Sequence, residues 1–167
     1  MYLRKEKDSD RTLEGAIFGL FAKDDIKSET TGKVLIEADE IIELKSTDEE
    51  GKITFVADLP IGATYYVKEL YAPDGFVTND EGKEFTFEYA GEDQPTVTYD
   101  FTFENQPTVV EFTKSSLTTG KELPGCKLKV VDADGNIVDE WTSGKEAHVI
   151  RELTVGKEYT LVETKTC

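Results

Sequence analysis

The sequence predicts an all-β chain built as a β-sandwich, and three observations point there. Strand-forming residues are abundant, with 7 Tyr, 9 Phe and many Thr and Val against one Met, and such side chains suit a pleated, half-buried surface. Apolar and polar residues alternate in short runs, while no stretch of helical period stands out. Turn clusters such as Asp48-Glu49-Glu50-Gly51 and Pro73-Asp74-Gly75 separate the runs at the spacing of a sandwich.

Taken in order, the alternation predicts strands near 2–7, 15–22, 33–37, 41–46, 52–57, 64–70, 84–90 and 96–105. A second series is predicted near 109–114, 126–131, 136–142, 147–151 and 158–164. The second series copies the first. Leu59, Gly62, Tyr65 and Glu69 are spaced by 3, 3 and 4 residues, and so are Leu153, Gly156, Tyr159 and Glu163. Lys5 precedes Leu13-Glu14-Gly15-Ala16 much as Lys114 precedes Leu123-Pro124-Gly125-Cys126. Gln106-Pro107-Thr108 interrupts two alternating runs and marks a short linker, which divides the chain into domains 1–106 and 107–167. Asn105 lies 36 positions beyond Glu69, but only four residues follow Glu163. The second domain is therefore expected to lack the last two strands of the first.

A formal net charge of −16 argues against nucleic acid and anionic membrane as partners, since both call for a basic footprint. It suits a soluble acidic surface. No apolar run is long enough to span a bilayer and no signal peptide or anchor is recognised, so a secreted parent protein would make this chain an excised segment. Two cysteines do not make a disulfide framework. Cys126 shares parity with Leu128 and Val130 and reads either as a small buried hydrophobe or as the partner of Cys167 in a disulfide. Cys167 itself reads equally as an introduced handle or a native thiol.

The candidate chemistry rests on three polar residues at the inward-facing ends of alternating runs. Lys5 shares a strand face with Leu3, Glu69 with Tyr65 and Val67, and Asn105 with Val97, Tyr99, Phe101 and Phe103. A buried polar group without a partner costs about 2–7 kcal/mol, so three of them facing one core should have found one another. Desolvation removes the charge of the lysine and keeps the proton on the glutamic acid. The amine can then attack the carboxamide carbon, with Glu69 protonating the amide oxygen and relaying a proton to the departing ammonia. The expected product is a Lys5–Asn105 isopeptide bond, formed without a cofactor. An unreacted Lys5–Glu69 pair hydrogen-bonded to Asn105 is the alternative. In the second domain Lys114 and Glu163 repeat the pair, but no acceptor amide follows.

These residues resemble the Cna-B type, or SpaA-like pilin, domains of Gram-positive surface adhesins and pilins. The resemblance is carried by the openings Leu3-Arg4-Lys5 and Phe112-Thr113-Lys114, by LEGAIFGLF at 13–21 and by LPGCKLKV at 123–130. DLPIGATYYVKELYAPDGF at 58–76, Phe103-Glu104-Asn105 and LTVGKEYTLVET at 153–164 complete it. It implies an immunoglobulin-like sandwich of reversed, prealbumin-like topology, closed by a spontaneous Lys–Asn or Lys–Asp bond. By position, Lys5 is then the nucleophile, Glu69 the acid/base and Asn105 the acceptor. Lys114 and Glu163 match in the second copy without an acceptor. Some members place the reactive lysine three residues before the Lys114 position, where this chain has Glu111.

On this resemblance the chain is a structural stalk or spacer repeat, extracellular on a bacterial cell wall, whose partners are neighbouring domains of the same surface protein. Two alternatives stand beside it: a ligand-binding adhesin module contacting a host protein, and an engineered split domain that accepts a complementing strand in trans. No enzyme activity beyond one self-crosslinking turnover is expected. Neither a Tyr-Pro-Lys type motif nor a Leu-Pro-x-Thr-Gly signal occurs, as a pilin polymerised by sortase would require. Asp132-Ala133-Asp134-Gly135-Asn136 has its glycine fourth rather than sixth, which favours a hairpin turn over a calcium loop. His148 is the sole histidine and stands in no Cys/His cluster, so no metal site is expected. Trp141 is expected to pack on the sandwich.

Overall fold

The computed structural model describes residues 11–89, 91 and 97–167, together with the backbone of residues 2–6. Two compact units form, Met1–Pro73 with Val77–Gln106 and Asp74–Phe76 with Pro107–Cys167. Among the described residues every regular element is a strand.

In the first unit β1 spans Tyr2–Glu6, β2 Ile17–Ala22, β3 Ile26–Lys27, β4 Val34–Ile36 and β5 Ile41–Ser46. The remaining strands are β6 Lys52–Ile53, β7 Thr64–Tyr71, β8 Gly82–Thr86 and β9 Phe101–Asn105. One sheet has the order β5-β2-β7-β8, the other β6-β1-β9, and β3 and β4 form a small hairpin. Among the described residues every pairing in this unit is antiparallel except β1 with β9, its first and last strands, which run parallel.

The core is the product of strand parity. On β7, Tyr65, Val67 and Glu69 are buried while Tyr66, Lys68 and Leu70 are only half-buried, as alternation requires. Phe18 and Leu20 from β2 and Phe103 from β9 close over them, with the Phe18 and Phe103 rings 4.9 Å apart. Gly19 is confined for a steric reason: a Cβ there would lie 2.5 Å from the Phe21 ring.

The second unit is a shorter edition. Its strands are β10 Val109–Phe112, β11 Lys127–Asp132, β12 Ile137–Thr142, β13 His148–Arg151 and β14 Tyr159–Lys165. They form a β12-β11-β14 sheet and a β10-β13 pair, which match β5-β2-β7 and β1-β6. Counterparts of β8 and β9 are absent among the described residues, and the core face shows it. Val67 is fully buried, whereas Leu161 at the equivalent position is 48% exposed.

The repeated Leu, Gly, Tyr, Glu spacing has a mechanical basis. Gly62 and Gly156 take φ of 83° and 80°, a turn conformation that a side chain disfavours. The following tyrosine then ties its loop to the strand. Tyr65 donates its hydroxyl proton to the Pro60 carbonyl at 2.7 Å, and the Tyr159 hydroxyl accepts from the Thr154 N–H at 3.0 Å. A second repeated device was not expected from the sequence. The buried Thr47 hydroxyl accepts from Ala16 N–H at 2.9 Å and donates to Leu13 O at 2.8 Å; Ser143 does the same for Cys126 N–H and Leu123 O at 3.0 and 2.6 Å.

Strand limits depart from expectation where side chains replace a ladder. The strand expected over 52–57 ends at Ile53, because the N–H groups of Val56 and Ala57 donate to the Glu43 carboxylate at 2.9 and 2.8 Å. The run expected over 96–105 is a strand only from Phe101, and of that run residues 97–105 are described. The two-residue β3 is too short to register as alternation. Asp132 caps the hairpin between β11 and β12, its Oδ1 accepting the N–H groups of Asp134 and Asn136 at 3.0 and 2.8 Å. Hydrogen bonds from Asn136 lead the interactions that hold its carboxyl below the usual carboxylate range.

Thr47→Val keeps the shape of the side chain but leaves Ala16 N–H and Leu13 C=O unsatisfied. It is expected to destabilise the first unit by about 1–3 kcal/mol, measured by urea unfolding; an unchanged midpoint would remove the hydroxyl from the account.

Candidate functional site

Glu69 and Asn105 come together in the core of the first unit. Glu69 points inward from β7 and Asn105 from the last position of β9, and each keeps 1% of its surface exposed. Asn105 Nδ2 donates to Glu69 Oε2 at 2.9 Å and to the Val77 carbonyl at 2.6 Å. A carbonyl can only accept, so the contact with Val77 fixes which side of the carboxamide carries nitrogen. Glu69 Oε2 also accepts the Asn79 N–H at 2.6 Å. Among the described residues Asn105 Oδ1 is buried and accepts no hydrogen bond.

This geometry bears differently on the two halves of the role assigned to Glu69. Its carboxylate reaches the amide nitrogen, where a leaving group would need a proton. Glu69 Oε1 and Asn105 Oδ1 are both buried oxygens of the same pair, and a contact between them would need a proton on the carboxyl group.

The Lys5 side chain lies outside the described residues; its backbone belongs to β1. The β1/β9 register sets Lys5 opposite Glu104 and Glu6 opposite Asn105. Paired positions on neighbouring strands share a face, so this register is one residue away from the alignment in which Lys5 stands opposite Asn105.

In the second unit Lys114 Nζ and Glu163 Oε2 are 3.0 Å apart, with side chains 33% and 31% exposed. Solvent therefore reaches both. No acceptor amide faces them among the described residues. Cys126 is fully buried, as its parity with Leu128 and Val130 implies, and its sulfur is in bonding contact with that of Cys167. Oxygen and sulfur atoms of Cys126, Glu163 and Cys167 lie within 4.8 Å of one another, a possible ligand set for a soft cation once both cysteines are thiolates. Trp141 is half-buried and stacks on His148 at 4.3 Å, while His148 Nε2 lies 2.8 Å from Asp139 Oδ2.

Sequence reasoning missed the Val77–Glu81 segment, which supplies both the carbonyl on Asn105 and the N–H on Glu69. It carries no alternation, and its contribution is largely from backbone atoms, which leave no mark in composition or spacing.

With two sheets around a buried carboxylate–carboxamide pair and a second, shorter copy of the same frame, the chain can be set against known proteins. The chain belongs to the SpaA prealbumin-like fold domain family, whose model matches residues 2–105 and again residues 108–167. No curated protein sequence matches it. Among solved structures, the Bacillus anthracis TIE protein is similar at 25% identity and a TM-score of 0.55, over 99% of this chain and 28% of its own length. A variant of the shaft pilin SpaA from Lactobacillus rhamnosus GG aligns at 17% identity and a TM-score of 0.49, over 99% of this chain and 86% of its own. A streptococcal ancillary pilin aligns at 22% identity and a TM-score of 0.42, covering 98% of this chain and 52% of its own. The chain thus spans under a third of the length of the TIE protein.

An ion pair as accessible as Lys114–Glu163 adds little stability. Lys114→Ala is expected to change the unfolding free energy of the second unit by less than about 1 kcal/mol in chemical denaturation, and a loss of several would show the pair to be more sheltered than it is here.

Proposed function

We propose that the chain is a stalk or spacer segment of a Gram-positive surface adhesin or pilin. It comprises two domains, 1–106 and 107–167, and the first is closed by an autocatalytic Lys5–Asn105 isopeptide bond. The observation that carries this reading is the buried contact between Glu69 Oε2 and Asn105 Nδ2 at 2.9 Å. A carboxyl group buried against a carboxamide carries a desolvation cost, and buried titratable groups with specific partners cluster at functional sites. Family membership supports the stalk role. The setting is extracellular, on the cell wall, with neighbouring domains of the same protein as partners.

In the reaction the neutral Lys5 Nζ attacks Asn105 Cγ. The new N–C bond forms, the Cγ–Nδ2 bond breaks, and one proton from the amine passes through Glu69 to Nδ2, which leaves as ammonia. Glu69 ends as it began. Each chain reacts once, so this is self-crosslinking and not enzymatic turnover. Reaction requires β1 to stand one residue further along β9, with Lys5 opposite Asn105.

The pair Cys126 and Cys167 closes the second domain as a disulfide. That loop of 41 residues restricts the unfolded chain by roughly 4 kcal/mol. A second reading applies to this domain alone: it completes its sandwich with a strand from outside the 167 residues, in cis or in trans. Leu161 and Glu163, exposed where Val67 and Glu69 are buried, favour that reading, since an uncovered face and open strand edge invite addition.

Three outcomes test these statements. Intact mass of the purified chain should fall one ammonia below the sequence value, apart from the two hydrogens lost to the disulfide, and Glu69→Gln should restore that ammonia. A parent of full mass sinks the isopeptide bond. Lys5→Ala should lower the thermal midpoint of the first domain by more than about 10 °C while preserving its circular dichroism, given about 4–5 kcal/mol for closing a loop of this length. Reduction should raise the mass by two hydrogens and make the second domain about 3–4 kcal/mol less stable; an unmoved second transition would dismiss the disulfide.

A further inference from the structure

Asn79 is joined to the site in three ways that neither the repeat nor the strand pattern anticipates. Its backbone N–H donates to Glu69 Oε2 at 2.6 Å, its Nδ2 donates to the Glu104 carbonyl on β9 at 2.9 Å, and its Oδ1 accepts the Glu81 N–H at 2.9 Å. Two residues earlier, Val77 accepts from Asn105 Nδ2 at 2.6 Å while its own N–H donates to the Gln106 carbonyl at 2.9 Å. The segment Val77–Asn79 is therefore pinned to β9 on both sides of Asn105 and holds Glu69 from above.

We propose that Asn79 is a positioning residue for isopeptide formation, acting through Glu69 and through the Val77 carbonyl to present Asn105 Nδ2 as the leaving group. The inference rests on the reading that Lys5 and Asn105 cross-link. Its physical content is orientational. With the Asn79 N–H also donating to Oε2, that oxygen is held beside Nδ2, the atom that must gain a proton as it leaves. With both Nδ2 hydrogens engaged, by Glu69 and by Val77, the carboxamide cannot flip, and its carbon presents one face. Nitrogen, not oxygen, then sits beside the group that must protonate it. Val77, Asn79 and Glu104 also line an open cavity of about 640 Å³, so the segment that covers the pair has solvent on its other side.

The side-chain tether to Glu104 is the part a substitution can remove, because the N–H that meets Glu69 belongs to the backbone. Asn79→Ala leaves that N–H in place but frees the segment from β9. The full chain and its variants would be made by cell-free synthesis and the loss of ammonia followed by intact mass over time. Asn79→Ala should cross-link at least about tenfold more slowly than the parent, as expected when a reacting group loses its orientation, while keeping a folded spectrum. Asn79→Asp keeps the acceptor for Glu81 but cannot donate to Glu104, so it should be slow as well, and it carries the test should the alanine variant fail to fold. A second readout is specific to orientation. In the unreactive Lys5→Ala chain, the two Asn105 side-chain amide protons should be protected from solvent exchange, and adding Asn79→Ala should abolish that protection without altering exchange in β2 or β7. Parental rates in both variants, or unaltered Asn105 protection, overturn the role of Asn79 and leave the cross-link standing. A parent that loses no ammonia overturns the cross-link itself and the inference with it.

Discussion

A carboxyl group and a carboxamide are buried together in the first unit, and their mutual hydrogen bond is the constraint to which the rest of that unit conforms. Both groups would cost several kcal/mol if buried without partners, so β7 and β9 must be aligned closely enough for Glu69 and Asn105 to meet. That alignment fixes which face of each strand is inside. Tyr65 and Val67 follow Glu69 inward by parity, Phe103 precedes Asn105, and Phe18 fills the space between the sheets. The segment after β7 must then return across the site, since the remaining hydrogen-bonding capacity of the pair is met partly by Val77 and Asn79.

The second unit shows what the same frame looks like without that constraint. Its lysine and glutamate still touch, but with about a third of each side chain accessible to solvent. Leu161, two residues before Glu163 on the same face, is exposed as well. Where the first unit has Ala16 just before β2, the second has Cys126 just before β11, in contact with the sulfur of Cys167.

Much of this was legible in the sequence, and the physical reason is periodicity. Alternation over residues 64–70 predicted β7 and the inward direction of Glu69, and the repeat predicted that β14 would copy it. Buried Phe103 and Asn105 follow from the same rule. What alternation cannot carry is anything set by single backbone groups or by register. The early end of β6 depends on the Glu43 carboxylate standing in for a neighbouring strand. The clamps at Thr47 and Ser143 occupy positions where a hydroxyl residue looks like ordinary turn composition. The β1/β9 register pairs Lys5 with Glu104 and not with Asn105; paired residues share a face, so parity read within each strand separately did not fix how the two strands align.

The parallel pairing of β1 with β9 has a consequence for how the first unit resists extension. Since the first and last strands lie side by side and point the same way, pulling the start of one and the end of the other slides them past each other in shear. Hydrogen bonds loaded in shear share the force along the whole contact, while an antiparallel pair pulled at one end opens one rung at a time. The topology alone therefore makes the polypeptide a stiff element along its long path before any covalent bond is considered. The cross-link proposed at the Asn105 end of that contact would act as a stop on a sliding joint, blocking the motion that shear drives.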